Sequence, residues 1–306
     1  MAVVTYTRRH FVDMIPEFLT KRSATIEPVA QAFAKEHGTT RDLLGGLANA
    51  ALLVEDGVVM RERYIWRSPY AVKRAIDQGW ASAVAAGLAE PLEGGWRLTP
   101  RARGIVDGWF RRVRDHIRAL DAPAGPARRA ADAAEPVASR IPAWAERSAL
   151  TRKLAPKADE PPSDLMRLNV ALYALWYFRD DCHIGAWRDA GYEGPVFDVL
   201  SHLWPGRPDM EWTKLPGATS IDALADALKQ RQDRADVERA VAVLVQRVDA
   251  RRDGDSVGLT ADGQRRRDAI EDETDLRFFG IWDLDDAATA RLGEDLRAVI
   301  DALPKS

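Results

Sequence analysis

A chain of 306 residues with 46% hydrophobic and 30% charged residues has the composition of a soluble globular protein of about two domains, which excludes a disordered or fibrous chain. Its single cysteine, Cys182, excludes an internal disulfide framework and any multi-cysteine zinc site, in keeping with a reducing cytoplasm. The net charge of −3 averages over uneven stretches: residues 61–118 hold 12 Lys and Arg against 6 Asp and Glu, residues 229–267 hold 10 against 7, and the remainder is acidic. Basic stretches inside an acidic chain suit selective phosphate contact.

The N-terminal MAVVTYTRRHF has no apolar run of signal-peptide length. The apolar run from Val170 to Phe178 is about half of a bilayer span, so a cytoplasmic protein without a membrane partner is expected. IEPVAQAFAKEHG and TRDLLGGLANAALL read as helices, and EDGVVMRERYIWR reads as a possible strand pair. Ser68 and Pro69 open a helix expected over residues 70–86, with proline in its first turn. Residues 88–92 and 96–98 form a ribbon around Gly94-Gly95, and a basic helix follows over 101–120. Residues 121–164 are rich in Ala and Pro; they hold a linker at 154–164 that divides a unit at 1–153 from one at 165–306. Trp144 implies that part of this stretch docks.

The second half opens on a helix over residues 165–187. Ser220 then caps IDALADALKQ, which buries Ile221, Leu224 and Leu228, and Asp222 lies in its first turn. Asp233 caps RADVERAVAVLVQ after a linker of only about three residues, which forces the sharp angle of a helix-turn-helix. Residues 247–251 extend, Asp253-Gly254 turns and 256–259 return. A last helix is expected over 285–303.

The hairpin thus occurs twice. GGWRLTPRAR (94–103) matches DSVGLTADGQ (255–264) at an offset of 161 when Thr99 is set on Thr260, and each copy runs through a helix to Leu-Asp and another helix. A tandem duplication is the expectation. At LTPRAR and LTADGQ the chain resembles the MarR-type winged-helix regulators, whose wing ends in Leu-Thr-x-x-Gly-Arg, with the threonine capping the next helix. DARR, with Arg251, is similar to that family's Asp-x-Arg wing. The first copy departs at Ala102 and the second at Gln264. YFRDDCH and the tryptophan after it are similar to a helix of actinobacterial helix-turn-helix proteins of this length.

The resemblance implies a mainly α fold: two helix-turn-helix units with short β-hairpin wings, joined by long packing helices as a single-chain pseudo-dimer, either monomeric or a homodimer. It implies double-stranded DNA as partner, on an asymmetric site, and a possible small-molecule effector. Candidate DNA contacts are Arg67, Lys73, Arg74 and Gln78 in the first unit, and Arg231, Arg234, Arg239, Arg251 and Arg252 in the second. The planar fork of arginine donates in parallel to phosphate or guanine. Against this, Asp236 and Glu238 at the start of the second recognition helix repel phosphate. Arg179, Asp180, His183 and Trp187 share one side of a helix and could line an effector pocket; the competing expectation is an ordinary helix junction with aromatic core. No HxH, HExxH or CxxC supplies a metal site, and no nucleophile elbow, Walker loop or dinucleotide fingerprint marks an enzyme. No cofactor is expected.

Overall fold

The computed structural model describes residues 5–52, 57–145, 154–155, 157–206 and 218–304, without the side chains of Trp66, Arg67 and Ala218. Among the described residues the protein is mainly helical with two three-stranded sheets. After a short 3-10 turn at Arg8–His10, the chain forms α1 (Phe11–Glu36), α2 (Arg41–Leu52), β1 (Val58–Met60), α3 (Arg61–Arg67), α4 (Lys73–Ala85), β2 (Ala89–Leu92), β3 (Gly95–Leu98), α5 (Pro100–Ala119) and α6 (Ala124–Ser139). The same order then recurs: α7 (Asp164–Asp189), α8 (Gly194–Leu203), β4 (Ala218–Ser220), α9 (Ile221–Leu228), α10 (Arg234–Gln246), β5 (Ala250–Asp253), β6 (Ser256–Leu259), α11 (Ala261–Phe279) and α12 (Asp286–Ala302). The sheets run β1-β3-β2 and β4-β6-β5, so in each the strand ahead of the two short helices pairs with the last strand of the hairpin. Among the described residues no helix is long and apolar enough to cross a membrane.

Two differences from the sequence expectation stand out. The presumed strand pair near residue 60 is one strand followed by the seven-residue helix α3. Helix α4 begins at Lys73, with Val72 as an N-cap that makes no side-chain bond; Ser68 instead closes α3. Proline after Ser68 holds that residue out of the helical region, which separates the two helices.

The chain folds into two compact units that draw on both halves of the sequence: unit 1 is residues 1–58, 98–181 and 277–306, and unit 2 is 59–97 and 182–276. The division therefore does not follow the Ala/Pro-rich segment. Helices that flank the wings associate with each other, and the wings with the short helices form the second unit.

In unit 1, Phe11, Ile15, Phe18, Ile26, Ala30 and Phe33 recur at helical spacing along α1 and are buried. Helices α6 and α12 pack along their length. The buried face of α6 is small, Ala127, Ala130, Ala131 and Ala134, and accepts the larger Leu292, Leu296, Val299 and Ile300 of α12. Arg129 bridges to Asp295 at 2.6 Å beside this seam. Within the expected linker, Glu160 is clamped by Arg114 Nε at 2.8 Å and Arg118 Nη1 at 2.5 Å. Burial alone would raise the Glu160 carboxyl; the two guanidinium groups outweigh it and hold it down to about 2.

In unit 2 the core gathers Trp187, Phe197, Leu200, Leu224, Val237, Val241, Leu244 and Val257. The second hairpin turns through Gly254, with φ +58° at its first central position, where a two-residue loop demands glycine. Thr260 Oγ1 accepts from Gly263 N at 3.0 Å and donates to Val248 O at 2.6 Å, so one hydroxyl caps α11 and ties it to the end of α10. Thr99 caps α5 in the same way, through Ala102 N. The glycine at 263 has a steric cause: a Cβ there would lie 2.0 Å from the backbone oxygen of Asp249.

Two outcomes are expected. Gly263→Ala forces backbone apart at the foot of the second wing and should cost ~2–4 kcal/mol in denaturant unfolding; a loss below about 0.5 kcal/mol would contradict the close approach. Because Glu160 titrates well below the ordinary 4.5, its stabilisation is complete above that value and is lost as pH falls from there to about 2. Glu160→Gln should therefore destabilise by ~1–3 kcal/mol at neutral pH and flatten the acid limb of stability measured across that window.

Candidate nucleic-acid interface

The candidate reading elements all lie in unit 2. Helix α9 starts at Ser220, whose Oγ accepts from Ala223 N at 3.1 Å. Helix α10 starts at Asp233, which accepts from Asp236 N at 2.8 Å while the Asp236 carboxylate accepts from Asp233 N at 3.0 Å, a reciprocal capping box. That backbone donor, with Arg74 behind it, lowers the Asp233 carboxyl. The connection between the helices is five residues, 229–233, longer than the spacing suggested. Its conformation is set from outside: Arg231 forks onto Asp198 of α8 at 2.8 and 3.1 Å, and Gln232, 1% exposed, donates to Pro195 O at 3.1 Å. Burial pushes the Asp198 carboxyl up against the opposing pull of Arg231 and His202.

Most candidate cations are thereby committed. Arg231 is an anchor for the turn. Arg234 reaches Asp222 at 2.7 Å and also pairs with Glu238. Arg239 pairs with Asp236. Arg74, at the start of α4, bonds Asp233 at 2.8 Å and Asp236 at 2.9 Å. Arg252 donates to Gly254 O at 2.8 Å, within its own turn. Lys73 and Gln78 on α4 and Arg251 on β5 are exposed, with no ion pair among the described residues. The side chain of Arg67 lies outside the described residues.

The Arg74 pairs belong to a larger contact inside unit 2. Val72 N donates to Arg231 O at 3.0 Å, the Tyr70 and Trp187 rings lie 6.0 Å apart, and α8 begins on a glycine, Gly194, whose absent Cβ would sit 1.7 Å from Pro69 O. The start of α4 is thus joined to the start of α10. Asp222, Asp233, Asp236, Glu238 and Asp255 gather here around Arg74, Arg234 and Arg239, which leaves carboxylates in excess.

The wing rests on a buried acid, the first residue of DARR. Asp249, 0% exposed, accepts from Tyr192 Oη at 2.9 Å, Arg247 Nε at 3.2 Å and Arg266 Nε at 2.5 Å. Arg247 also lies over the Tyr192 ring at 4.1 Å and donates to Gly191 O at 2.9 Å. Burial and the hydrogen bond to Asp249 raise the Tyr192 phenol. Asp-x-Arg in DARR was the local signal for this acid; the partners are 57 and 17 residues away.

Of the four candidate effector residues, Arg179 and Asp180 lie in the part of α7 that belongs to unit 1, and His183 and Trp187 in the part that belongs to unit 2. Arg179 is buried and lies 5.7 Å from the Trp176 ring centroid; Asp180 is half-buried. Trp187 is 2% exposed and stacks on Phe197 at 5.4 Å, as a core residue. His183 Nδ1 lies 3.1 Å from Thr274 Oγ1 and 3.5 Å from Glu271 Oε1.

No curated protein and no solved structure matches the chain. The model of the HTH_67 helix-turn-helix family matches residues 54–306, from the strand ahead of α3 to the C-terminal end. With well over half of its length matched, and with the turn between α9 and α10 capped and anchored as described, the protein belongs to this helix-turn-helix family.

Proposed function

We propose that the protein is a non-enzymatic, DNA-binding transcriptional regulator of the cytoplasm, built as two winged-helix units of MarR-like type fused in tandem into a single-chain pseudo-dimer. The observation that carries this is the nine-element order that occurs twice with the same strand order in both sheets. A helix, a strand, two short helices and a hairpin are the parts of a winged helix, and α4 and α10 take the place of recognition helices. Arg251 and Arg252 on the exposed strand β5 supply phosphate contact at the second wing, and Lys73 and Gln78 supply it along α4.

Two-fold regulators place recognition helices about 34 Å apart, in successive major grooves. Here α4 and α10 begin within hydrogen-bond reach of each other. As docked, the pair presents one asymmetric edge, with the cations of α4 and β5 facing phosphate and the acids of α10 turned to Arg74. A second reading has its own support in those acids: a winged-helix scaffold that has given up DNA and keeps a protein or small-molecule partner.

Fluorescence anisotropy with a labelled fragment from upstream of the protein's own gene, at several salt concentrations and with random competitor, separates the two. The regulator binds tightly with a steep salt dependence, and Arg251→Ala with Arg252→Ala should lower the log–log salt slope by about 1–2 while leaving unfolding unchanged. Absence of binding at low salt supports the scaffold. Asp233→Asn, which keeps an N-cap side chain but removes a carboxylate beside Arg74, should tighten binding about two- to fivefold; an unchanged or weaker affinity would place the α10 start away from DNA.

A further inference from the structure

We infer that the two hairpin-bearing pieces of unit 2 divide the contact with double-stranded DNA between them. Helix α4 of the first piece reads bases, strands β5 and β6 of the second hold the backbone, and α10 and the first hairpin make no contact. One chain then covers a single major groove and its flank rather than two half-sites. The inference rests on the DNA-binding reading proposed above and says how that surface is used.

The first ground is geometric. A recognition helix contacts base edges through its N-terminal residues, and here the two N-termini meet. Arg74 in the first turn of α4 bonds Asp233, the cap of α10, at 2.8 Å. Val72 N, at the cap of α4, donates to Arg231 O at 3.0 Å. Helix starts held this close cannot enter two major grooves a full turn, about 34 Å, apart. Of the two, α10 is the poorer reader. Asp233, Asp236 and Glu238 occupy its start, and its arginines, Arg234 and Arg239, each meet a carboxylate. Gln246 is exposed and can pair with a base, but it is the last residue of the helix. Helix α4 differs. Lys73 and Gln78 are exposed in its first two turns, and its one acid, Asp77, is drawn to Arg61 at 3.2 Å. Lysine donates to guanine and glutamine pairs with adenine.

The hairpins show the reverse. Strands β2 and β5 each lie at the edge of their sheet. After a buried alanine come Glu90 and Pro91 on β2, and Arg251 and Arg252 on β5; all four are exposed. Proline has neither an N–H nor a charge to offer a phosphate, and glutamate repels one, whereas two guanidinium groups attract it. The second tip also carries Asp253 and Asp255, of which Asp255 lies 3.6 Å from Arg234. That contact sets the second tip at the start of α10, and so, through Asp233 and Arg74, beside the start of α4. The helix that can read bases and the wing that can hold phosphates therefore share one edge of unit 2 although they come from different pieces. Base contacts specify and phosphate contacts position, so the two pieces differ in role and not merely in strength.

Selection of the full chain on a random duplex library, with the number of chains per duplex measured by sedimentation, tests this. The enriched sequence should form one block per bound chain, inside about one helical turn of 10 bp. Lys73→Ala with Gln78→Ala should lower the preference for that block over random duplex at least about tenfold. Arg251→Ala with Arg252→Ala should weaken binding at least about threefold and enrich the same block. Arg239→Ala with Gln246→Ala should also enrich the same block, and Glu90→Gln should change affinity less than about twofold. Two blocks per bound chain about 10 bp apart overturn the division in the unaltered protein, whether or not the variants fold, and leave DNA binding standing. A block that the α10 variant erases, or a larger gain from Glu90→Gln, does the same. No enrichment at any salt concentration overturns the regulator itself, and the division with it.

Discussion

The buried carboxylate of Asp249 is the constraint on which unit 2 depends. A charge with no solvent contact is tolerated only when several donors surround it, and here three come from separate places: Tyr192 after α7, Arg247 at the end of α10 and Arg266 in the first turns of α11. The same residue's backbone carbonyl accepts from Thr260 N at 3.0 Å and excludes a side chain at Gly263. The angle at which the second hairpin leaves the helices is set by this one residue from both its side chain and its main chain. Removal of any one donor would leave the others facing an under-compensated charge, which makes the network cooperative rather than additive.

Charge in this protein is mostly consumed internally. A basic stretch in the sequence suggests a surface for phosphate, but Arg231, Arg234, Arg239 and Arg74 each meet a carboxylate. The Arg234–Asp222 pair is exposed on both sides and contributes little stability, while the carboxylates of Asp198 and Asp236 are largely buried in their pairs. Their effect is on geometry: they fix where the guanidinium groups point, and they neutralise the field that a nucleic acid would sense. Of the candidate contacts among the described residues, Lys73, Gln78 and Arg251 remain exposed to a polyanion, while Arg252 donates within its own turn.

Local chemistry was legible and long-range chemistry was not. Thr99, Thr260, Ser220 and Asp233 announce helix starts because a cap is a contact over three residues. Gly254 and the Gly94-Gly95 pair announce hairpins for an equally local reason. The segment before α4 misled because Val58, Val59 and Met60 do extend, while the aromatic residues that follow them suit a strand and a short helix alike. Arg231 with Asp198 and Arg74 with Asp236 are 33 and 162 residues apart, and no spacing rule relates them.

The division of the chain into interleaved units has a consequence for biosynthesis. The polypeptide passes from one unit to the other four times, after residues 58, 97, 181 and 276. Unit 1 lacks α12 until residue 302 has emerged, and unit 2 lacks its second sheet until residue 259 has emerged. A nascent chain paused midway therefore has α1 packed on α2 and α5 but leaves the alanine face of α6 without α12 to cover it. Such a topology folds late and through contacts distant in sequence, which slows the search and lengthens the exposure of apolar surface on the ribosome. It also ties the two units to a common fate, since a protease cut at the Ala/Pro-rich segment would sever both at once and release neither as a whole.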